Sequence, residues 1–476
     1  MNQLNIFMKK MFLRATVLLF LVLSFTLSQI SCTTSVKAES EWLKMDEIIK
    51  NMIIPEFRDA DYLITDFGAV DDGITDSGEA IKAAIEKCNS EGGGRVVVPN
   101  GKFFTGPIYI KSNVNLHLED NAVLLFSTNP DDYYPLVHSR WEGVDAMNYS
   151  PLIYAFGETN IAITGKGTLD GQATSKNWWP WKGRKAFGWK EGMPNQTDEG
   201  NRQALFDMAE NGVPVEERIF GNGHYLRPQF LQPYNCQNVL IEGVKIINSP
   251  MWIIHPVLCT NVTISDVYVD CSGPNTDGCD PESCVNVWIK DSYFKTGDDC
   301  IALKSGRNAE GRRINVPSEN VVIQNCVTQN GHAGVAIGSE ISGGAKNVFI
   351  ENCKFNNPMW PIRFKTSSNR GGTSENIYFR NIEVDKARNE SVVFTMLYED
   401  KGDYMPTIKN VVIENLTVHE GGKVGIVMEA YEESPIQDVY FKNVNIENAV
   451  VPMELTNIDG ITFEDTFING EKIVNK

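Results

Sequence analysis

Apolar and polar residues alternate along most of this chain in short runs, and the runs return. The recurring phrase is an asparagine, an apolar residue, then alternating apolar and polar positions. It stands at Asn238-Val239-Leu240-Ile241, Asn261-Val262-Thr263-Ile264 and Asn286-Val287-Trp288-Ile289, and continues at Asn320, Asn347, Asn376 and Asn410. Looser copies begin at Asp438 and Asp459, and upstream copies at Asn113 and Asn160. The step between anchors is 23 residues from Asn238 to Asn261 and 34 from Asn286 to Asn320. Period-two alternation marks strands, and no repeated unit carries the apolar period of a helix. A unit this short cannot bury its apolar face alone, so copies must stack. The pattern predicts an all-β fold, a right-handed single-stranded parallel β-helix whose coils lie ~4.8 Å apart. Leucine-rich repeats and propellers are the alternatives, but their Leu-rich and Trp-Asp phrases are missing. The asparagines fall at one phase of each coil, where stacked amides can bond along a column. Cys326 and Cys353 each sit six residues after an anchor, so they are expected to point inward, one above the other.

Two regions break the pattern. Ala80, Ile81, Ala84, Ile85 and Cys88 have helical spacing, follow the N-cap region Thr75-Asp76-Ser77 and stop at Gly92-Gly93-Gly94. One helix ahead of a solenoid reads as an N-terminal cap over its open apolar end. Between Asp170 and Tyr234 the repeat is interrupted by an insertion, about residues 172–234, that holds four of the nine tryptophans, Trp178, Trp179, Trp181 and Trp189. Long loops in compact proteins are usually functional. The resulting division is a leader (1–32), a linker (33–60) and a β-helix domain (61–476).

Composition changes the picture in three ways. With 476 residues, 42% of them hydrophobic and 22% charged, the chain has the balance of a folded protein. Its net charge of -18 argues against a nucleic-acid partner, which needs a basic footprint. A polyanionic substrate would require the site to gather its own cations. At the N-terminus, Lys9, Lys10 and Arg14 precede an apolar run from Ala15 to Leu27 that is short for a bilayer span. The run ends at Gln29-Ile30-Ser31-Cys32, which resembles a bacterial lipoprotein signal with Cys32 as the lipidated residue, although Gln29 stands where Leu is usual. Simple cleavage nearby is the alternative. Either predicts export, to the periplasm or cell envelope, with a lipid anchor in the first case. The ten cysteines contain no CxxC pair of the zinc type and read as small buried apolar residues, with disulfides open to an exported protein.

Four phrases carry candidate chemistry. They are Asn275-Thr276-Asp277-Gly278-Cys279-Asp280, Gly297-Asp298-Asp299-Cys300, Gly331-His332-Ala333-Gly334 and Arg363-Phe364-Lys365-Thr366. Counted from their anchors they fall at similar phase on successive coils, which predicts a strip roughly 15 Å tall on one face. Any one phrase alone is ordinary turn chemistry; four in phase are harder to dismiss. Carboxylates held close cannot all ionise, so one stays protonated beside ionised neighbours, which is the equipment of glycosidic hydrolysis. Arg363 and Lys365 supply positive charge that can grip a carboxylate. His117, His138, His224, His255 and His419 have no such company, although His224 and His255 could line the cleft.

These motifs resemble glycoside hydrolase family 28, the polygalacturonase family, over nearly everything from Asp66 onward. The resemblance implies hydrolysis of α-linked galacturonic acid bonds in pectic polysaccharide or oligogalacturonides, with inversion. Asp298 would be the general acid, Asp277 and Asp299 would activate water, and His332 would assist the carboxylates. Arg363, Lys365 and Asn275 would bind the substrate, with no cofactor and no metal. Carboxylates one coil apart lie near the ~5 Å spacing that general rules tie to retention instead. Ala333 stands where the family usually has Gly after the histidine. The insertion's tryptophans either stack on sugar rings or pack the loop onto the coil. A cleft walled at one end by the insertion and by Ser367 to Gly372 predicts exo action. The alternatives are cleavage of rhamnogalacturonan or xylogalacturonan, a pectate lyase, and a non-catalytic glycan-binding β-helix.

Overall fold

The computed structural model describes residues 41–399 and 401–475; the expected leader and Cys32 lie outside the described residues. The chain divides after Asn51. Residues 41–50 are helical and belong to the first unit. The second unit is a stack of parallel coils, beginning with Asp61–Leu63 paired to Arg95–Val97 and ending with Ile436–Ile446 paired to Ile458–Ile468.

The repeated phrase works as its spacing predicts. Val239, Val262, Val287, Val321, Val348, Ile377, Val411 and Val439 stand in register on successive coils, each buried. The residues two places on, Ile241 through Phe441, form the next inward column. Parallel pairing in register puts apolar side chains one above another, so each coil buries its neighbour's face.

The anchoring asparagines form the expected ladder. From Asn160 on Asn113 to Asn410 on Asn376, each side-chain amide donates to the carbonyl oxygen of the asparagine one coil below, at 2.6–3.2 Å. Each also has a positive φ, between 51° and 62°. Pairing skips the residue: Gln237 meets Thr260 and Val239 meets Val262, so Asn238 bends the strand outward. Asparagine tolerates this left-handed conformation better than any residue but glycine. The sequence pattern showed the ladder but not the bend.

A second column went unread. Asn381, Asn415 and Asn443 each donate to the asparagine below, and Asn325 to Asp291, at 2.8–3.0 Å. Cys326 and Cys353 stack inside as expected, both as free thiols. Cys236, Cys259 and Cys284 form another buried column, in which backbone N–H groups of Cys236 and Cys259 donate to the sulfur of the next cysteine at 3.4 Å.

The capping helix spans Gly78–Ser90 and buries Ile81, Ala84, Ile85 and Cys88. Ser77 is its N-cap without a side-chain bond; Asp76 takes that role, accepting from the Gly78 N–H at 2.8 Å. In the insertion, three of the four tryptophans, Trp178, Trp179 and Trp181, pack against the core of the coil, while Trp189 bonds within the loop itself. Trp178 is buried, Trp179 donates to the Ser249 carbonyl, Trp181 packs on Trp178 and Tyr225, and Trp189 donates to the Met193 carbonyl. Of the two readings, packing the loop onto the coil is the one observed for Trp178, Trp179 and Trp181. The coil resumes at Leu231–Tyr234, inside the expected insertion, because those residues pair with Ile153–Phe156. Two short helices, Arg202–Glu210 and Asn308–Ile314, sit in loops where the repeat pattern gave no sign of them.

One face positions the site. Ile153–Phe156 pairs with Leu231–Tyr234, then single bridges through Ile254 and Cys279 lead to Ile301–Leu303, Ala333–Gly338 and Trp360–Lys365. Residues far apart in sequence therefore share a register: Cys279, Ile301, Val335 and Ile362 form one row.

Candidate active site

The row just described lays the four chemical phrases against one another. The Gly278 N–H donates to the Asp299 carbonyl at 2.9 Å, and the His332 N–H to the Asp298 carbonyl at 2.9 Å. Arg363 pairs with Ala336, and Lys365 with Gly338. Thr276 ties the first two loops: its hydroxyl donates to the Gly273 carbonyl at 2.8 Å and accepts from the Gly297 N–H at 3.2 Å. Gly297 is required there, since a Cβ would lie 2.1 Å from the Gly273 carbonyl oxygen.

Asn275, Asp277, Asp298, His332, Arg363 and Lys365 all line one pocket of about 300 Å³. Asp299 lies behind its wall, wholly buried, with Oδ1 accepting from the Ala333 N–H at 3.1 Å and Oδ2 from Lys365 Nζ at 2.5 Å. Ala333, in the family's glycine position, is itself buried against Ala302 and Ala336, and His332 keeps its contact with Asp298. Asn275 Oδ1 is taken by Lys182 at 2.6 Å and Arg227 at 2.9 Å, so its amide nitrogen is what it can offer a ligand. Arg363 stacks on Trp360, its guanidinium carbon 3.6 Å from the ring centroid, and has no carboxylate partner among the described residues. His255 is buried and bonded to Glu282, and His224 to the Gly200 carbonyl; neither lines the pocket.

Electrostatics separate the carboxyls. Asp277 is pushed well above the usual range, first by burial and then by the Asp298 charge. One of its oxygens has no hydrogen-bond partner among the described residues, and the other is 3.9 Å from Lys304 Nζ. Burial works against ionisation of Asp298 as well. There it is outweighed by a 2.8 Å hydrogen bond from His332 Nδ1 and by the charges of His332, Lys365 and Lys304, so its affinity for a proton falls well below the ordinary. His332 is raised in turn: burial opposes its charge, but Asp298 more than compensates. At rest the surroundings therefore favour the protonated form of Asp277 and the charged forms of Asp298 and His332.

Several members were not anticipated. Asp280, in the same phrase as Asp277, is buried with neither oxygen partnered among the described residues, and burial raises it strongly. Its place in Asn-Thr-Asp-Gly-Cys-Asp was the available signal. Lys304 and Glu340 meet at 3.1 Å, and Arg307 reaches both Glu340 and Glu399 at 3.2 Å. Only folding brings these groups together, so the sequence carried no mark of them. The insertion contributes Lys182, Arg184, Phe187 and Arg202 to the pocket wall. Lys182 is pushed down to about 8, chiefly by burial. Among the described residues Arg184 has no ion pair, while Arg202 is held by Glu142 at 2.7 Å. The expected cationic patch is present and larger than Arg363 and Lys365 alone. Asp298, Asp299 and His332 also bring three ligating atoms within 4.8 Å, a spacing a cation could use. Lys365 and His332 already supply positive charge to those carboxylates.

Comparison with known proteins places the chain. The family model for Glycosyl hydrolases family 28 matches residues 220–465, and one for Rhamnogalacturonase A/epimerase, pectate lyase-like, matches 63–121. A probable polygalacturonase of Vitis vinifera is 30% identical over 84% of this chain and 77% of its own length. An exo-poly-alpha-D-galacturonosidase of Dickeya chrysanthemi is 26% identical over 85% of this chain and 70% of its own. The crystal structure of a hyperthermoactive exopolygalacturonase from Thermotoga maritima superposes with a TM-score of 0.88 at 45% identity, covering 90% of this chain and 96% of that one. On the motifs, the coil and these kinships together, the protein belongs to glycosyl hydrolases family 28 and is a glycosidase of the polygalacturonase type.

Proposed function

We propose that the protein hydrolyses the α-linked galacturonic acid bonds of pectic polysaccharide from chain ends, with inversion. The observation that carries this reading is the shared pocket: acidic groups of two protonation states stand beside Arg363, Lys365, Lys182 and Arg184. Such a site suits a sugar that brings its own carboxylate.

Asp298 is the proton donor to the leaving oxygen, and Asp277 and Asp299 position and activate water, Asp277 from the pocket wall and Asp299 from behind it, by way of the Lys365 ammonium it holds. The resting charges look unfavourable to this assignment, because Asp298 is ionised. Substrate changes that balance. A uronate carboxylate settling on Arg363 and Lys365 offsets the Lys365 share of the positive charge that keeps Asp298 deprotonated, and His332, hydrogen-bonded to it, holds the proton it would take. The net change is one proton moved from Asp277 to Asp298: His332 passes its proton to Asp298 and is recharged by the one Asp277 releases. Arg363, stiffened by Trp360, Lys365 and the Asn275 amide hold the sugar at the cleavage point.

The raised Asp277 supports a second assignment, with Asp277 as acid and Asp298 as base. An aryl α-galacturonide with a good leaving group separates the two. Asp298→Asn retains most activity on it under the first assignment, because the leaving group no longer needs a proton. Retention by Asp277→Asn instead reverses the roles.

Exo action rests on the insertion, whose side chains close one side of the pocket, and on kinship with two proteins described as exo-acting. Polygalacturonate viscosity followed against reducing ends tests it. Slow viscosity loss with steady release of ends is expected, and a rapid fall at little hydrolysis contradicts it. The expected leader would deliver the enzyme to the cell envelope.

A further inference from the structure

The corner that carries Asp298 and His332 continues past the pocket. Carbonyls of Asp298, His332, Met359, Asn389 and Lys423 accept in turn from the N–H groups of His332 (2.9 Å), Trp360 (2.8 Å), Asn389 (3.0 Å), Lys423 (2.6 Å) and Val451 (2.9 Å). Coil by coil, this column leads from the reacting carboxylate toward the C-terminal end. Along it the turns holding Lys386, Arg388, Glu420 and Lys423 enclose a second groove of about 420 Å³. Coil spacing places it two to four coils, ~10–20 Å, beyond His332.

The groove has three cations to one carboxylate, in a chain whose net charge is -18. Lys386 pairs with Glu420 at 2.7 Å, whereas Lys423 and Arg388 form no ion pair among the described residues. Arg388 also ties the groove to the site, since its guanidinium donates to the carbonyl of Gly331, next to His332, at 2.6 Å. The insertion enters from coils on the N-terminal side of Asp277, between Ile153–Phe156 and Leu231–Tyr234. Lys182, on that insertion, is bonded to Asn275 on the N-terminal side of the pocket, while the groove lies on the C-terminal side, so a polymer with its end against Lys182 would have the groove ahead of it.

We propose that this groove is a distal site for a further carboxylate-bearing unit of the same sugar chain, anchored by Lys423, Arg388 and Lys386. The inference rests on the galacturonan reading above and extends it: the enzyme grips its polymer at two points along one corner of the coil. Free uronic acid or a dimer is too short to reach both.

The test is the ratio of kcat/KM on hexagalacturonate to that on digalacturonate. In the double variant Lys386→Ala, Lys423→Ala the ratio falls about five-fold, the scale of losing exposed ion pairs. Glu420→Gln, which removes the competing carboxylate, moves the ratio upward. An unchanged ratio in the double variant, or equal losses on both lengths, overturns the inference while leaving the functional reading standing. Failure of the unsubstituted enzyme to cut either oligomer overturns the functional reading and this inference together.

Discussion

At the residue scale, the Asp298–His332 pair governs how the site responds to pH. Asp298 is lowered in the folded protein, so its contribution to stability is present above the ordinary carboxyl range and lost as pH falls through its folded value. His332 is raised, so its contribution is complete below the ordinary imidazole value and lost as pH rises through its folded value. Both contributions are present together between about pH 4 and 6.5. Thermal unfolding measured across pH should show His332→Gln costing most in that window and less as pH rises through the folded value of His332. Asp280 behaves oppositely. Its buried carboxyl stays protonated while the unfolded chain ionises, so it weakens the fold as pH rises past the ordinary carboxyl value. Asp280→Asn should therefore melt near the parent at pH 4 and above it at pH 7; a variant that melts lower at both would show that the carboxylate is needed. Asp298→Asn should lower kcat on polygalacturonate by about 10²–10⁴-fold, the usual worth of a general acid.

At the scale of the element, the asparagine corner does two jobs in one residue. Asn286 receives an amide bond from Asn320, donates one to Asn261, and holds φ at 58°. Asn286→Ala should cost about 2 kcal/mol from the two bonds. Asn286→Val should cost more than Asn286→Ala, because a β-branched residue fits the left-handed region worse than alanine does. Denaturant unfolding checks both, and equal costs would show that the bend is unimportant. This corner also explains what was legible in advance. The first ladder repeats one residue type at one phase, directly before alternating apolar residues. The second ladder mixes Asp291 with asparagines and lies within the outward positions, where polar residues are expected anyway. Asp277, Asp298 and His332 were readable because short motifs carry them. Lys304 with Glu340, and Glu282 with Arg140 and His255, were not, because each contact joins segments that only the stacked register brings together.

At the scale of the whole molecule, the fold holds opposite charges apart. The body is strongly acidic, while the pocket gathers Lys182, Arg184, Arg363 and Lys365. A polyanion approaching from far away is repelled and one already in the cleft is held. Screening acts first on the long-range term, since the Debye length is ~30 Å at 0.01 M salt and ~10 Å at 0.1 M. kcat/KM on polygalacturonate should therefore rise with salt to about 0.1 M and decline beyond it. A steady fall from the lowest salt would show that the cleft alone sets the approach. Arg184→Ala should raise KM several-fold at moderate salt, since Arg184 has no competing carboxylate partner among the described residues.

The central claim is that stacking brings Asp277, Asp298 and Asp299 into one hydrolytic site for a uronic acid chain. Proton NMR of polygalacturonate during digestion, run with the enzyme and with Asp298→Asn, addresses it most directly. The expected spectrum shows saturated galacturonate appearing first as the β-anomer, and no release by the variant. Undiminished release by the variant, or an unsaturated sugar among the products, would contradict it.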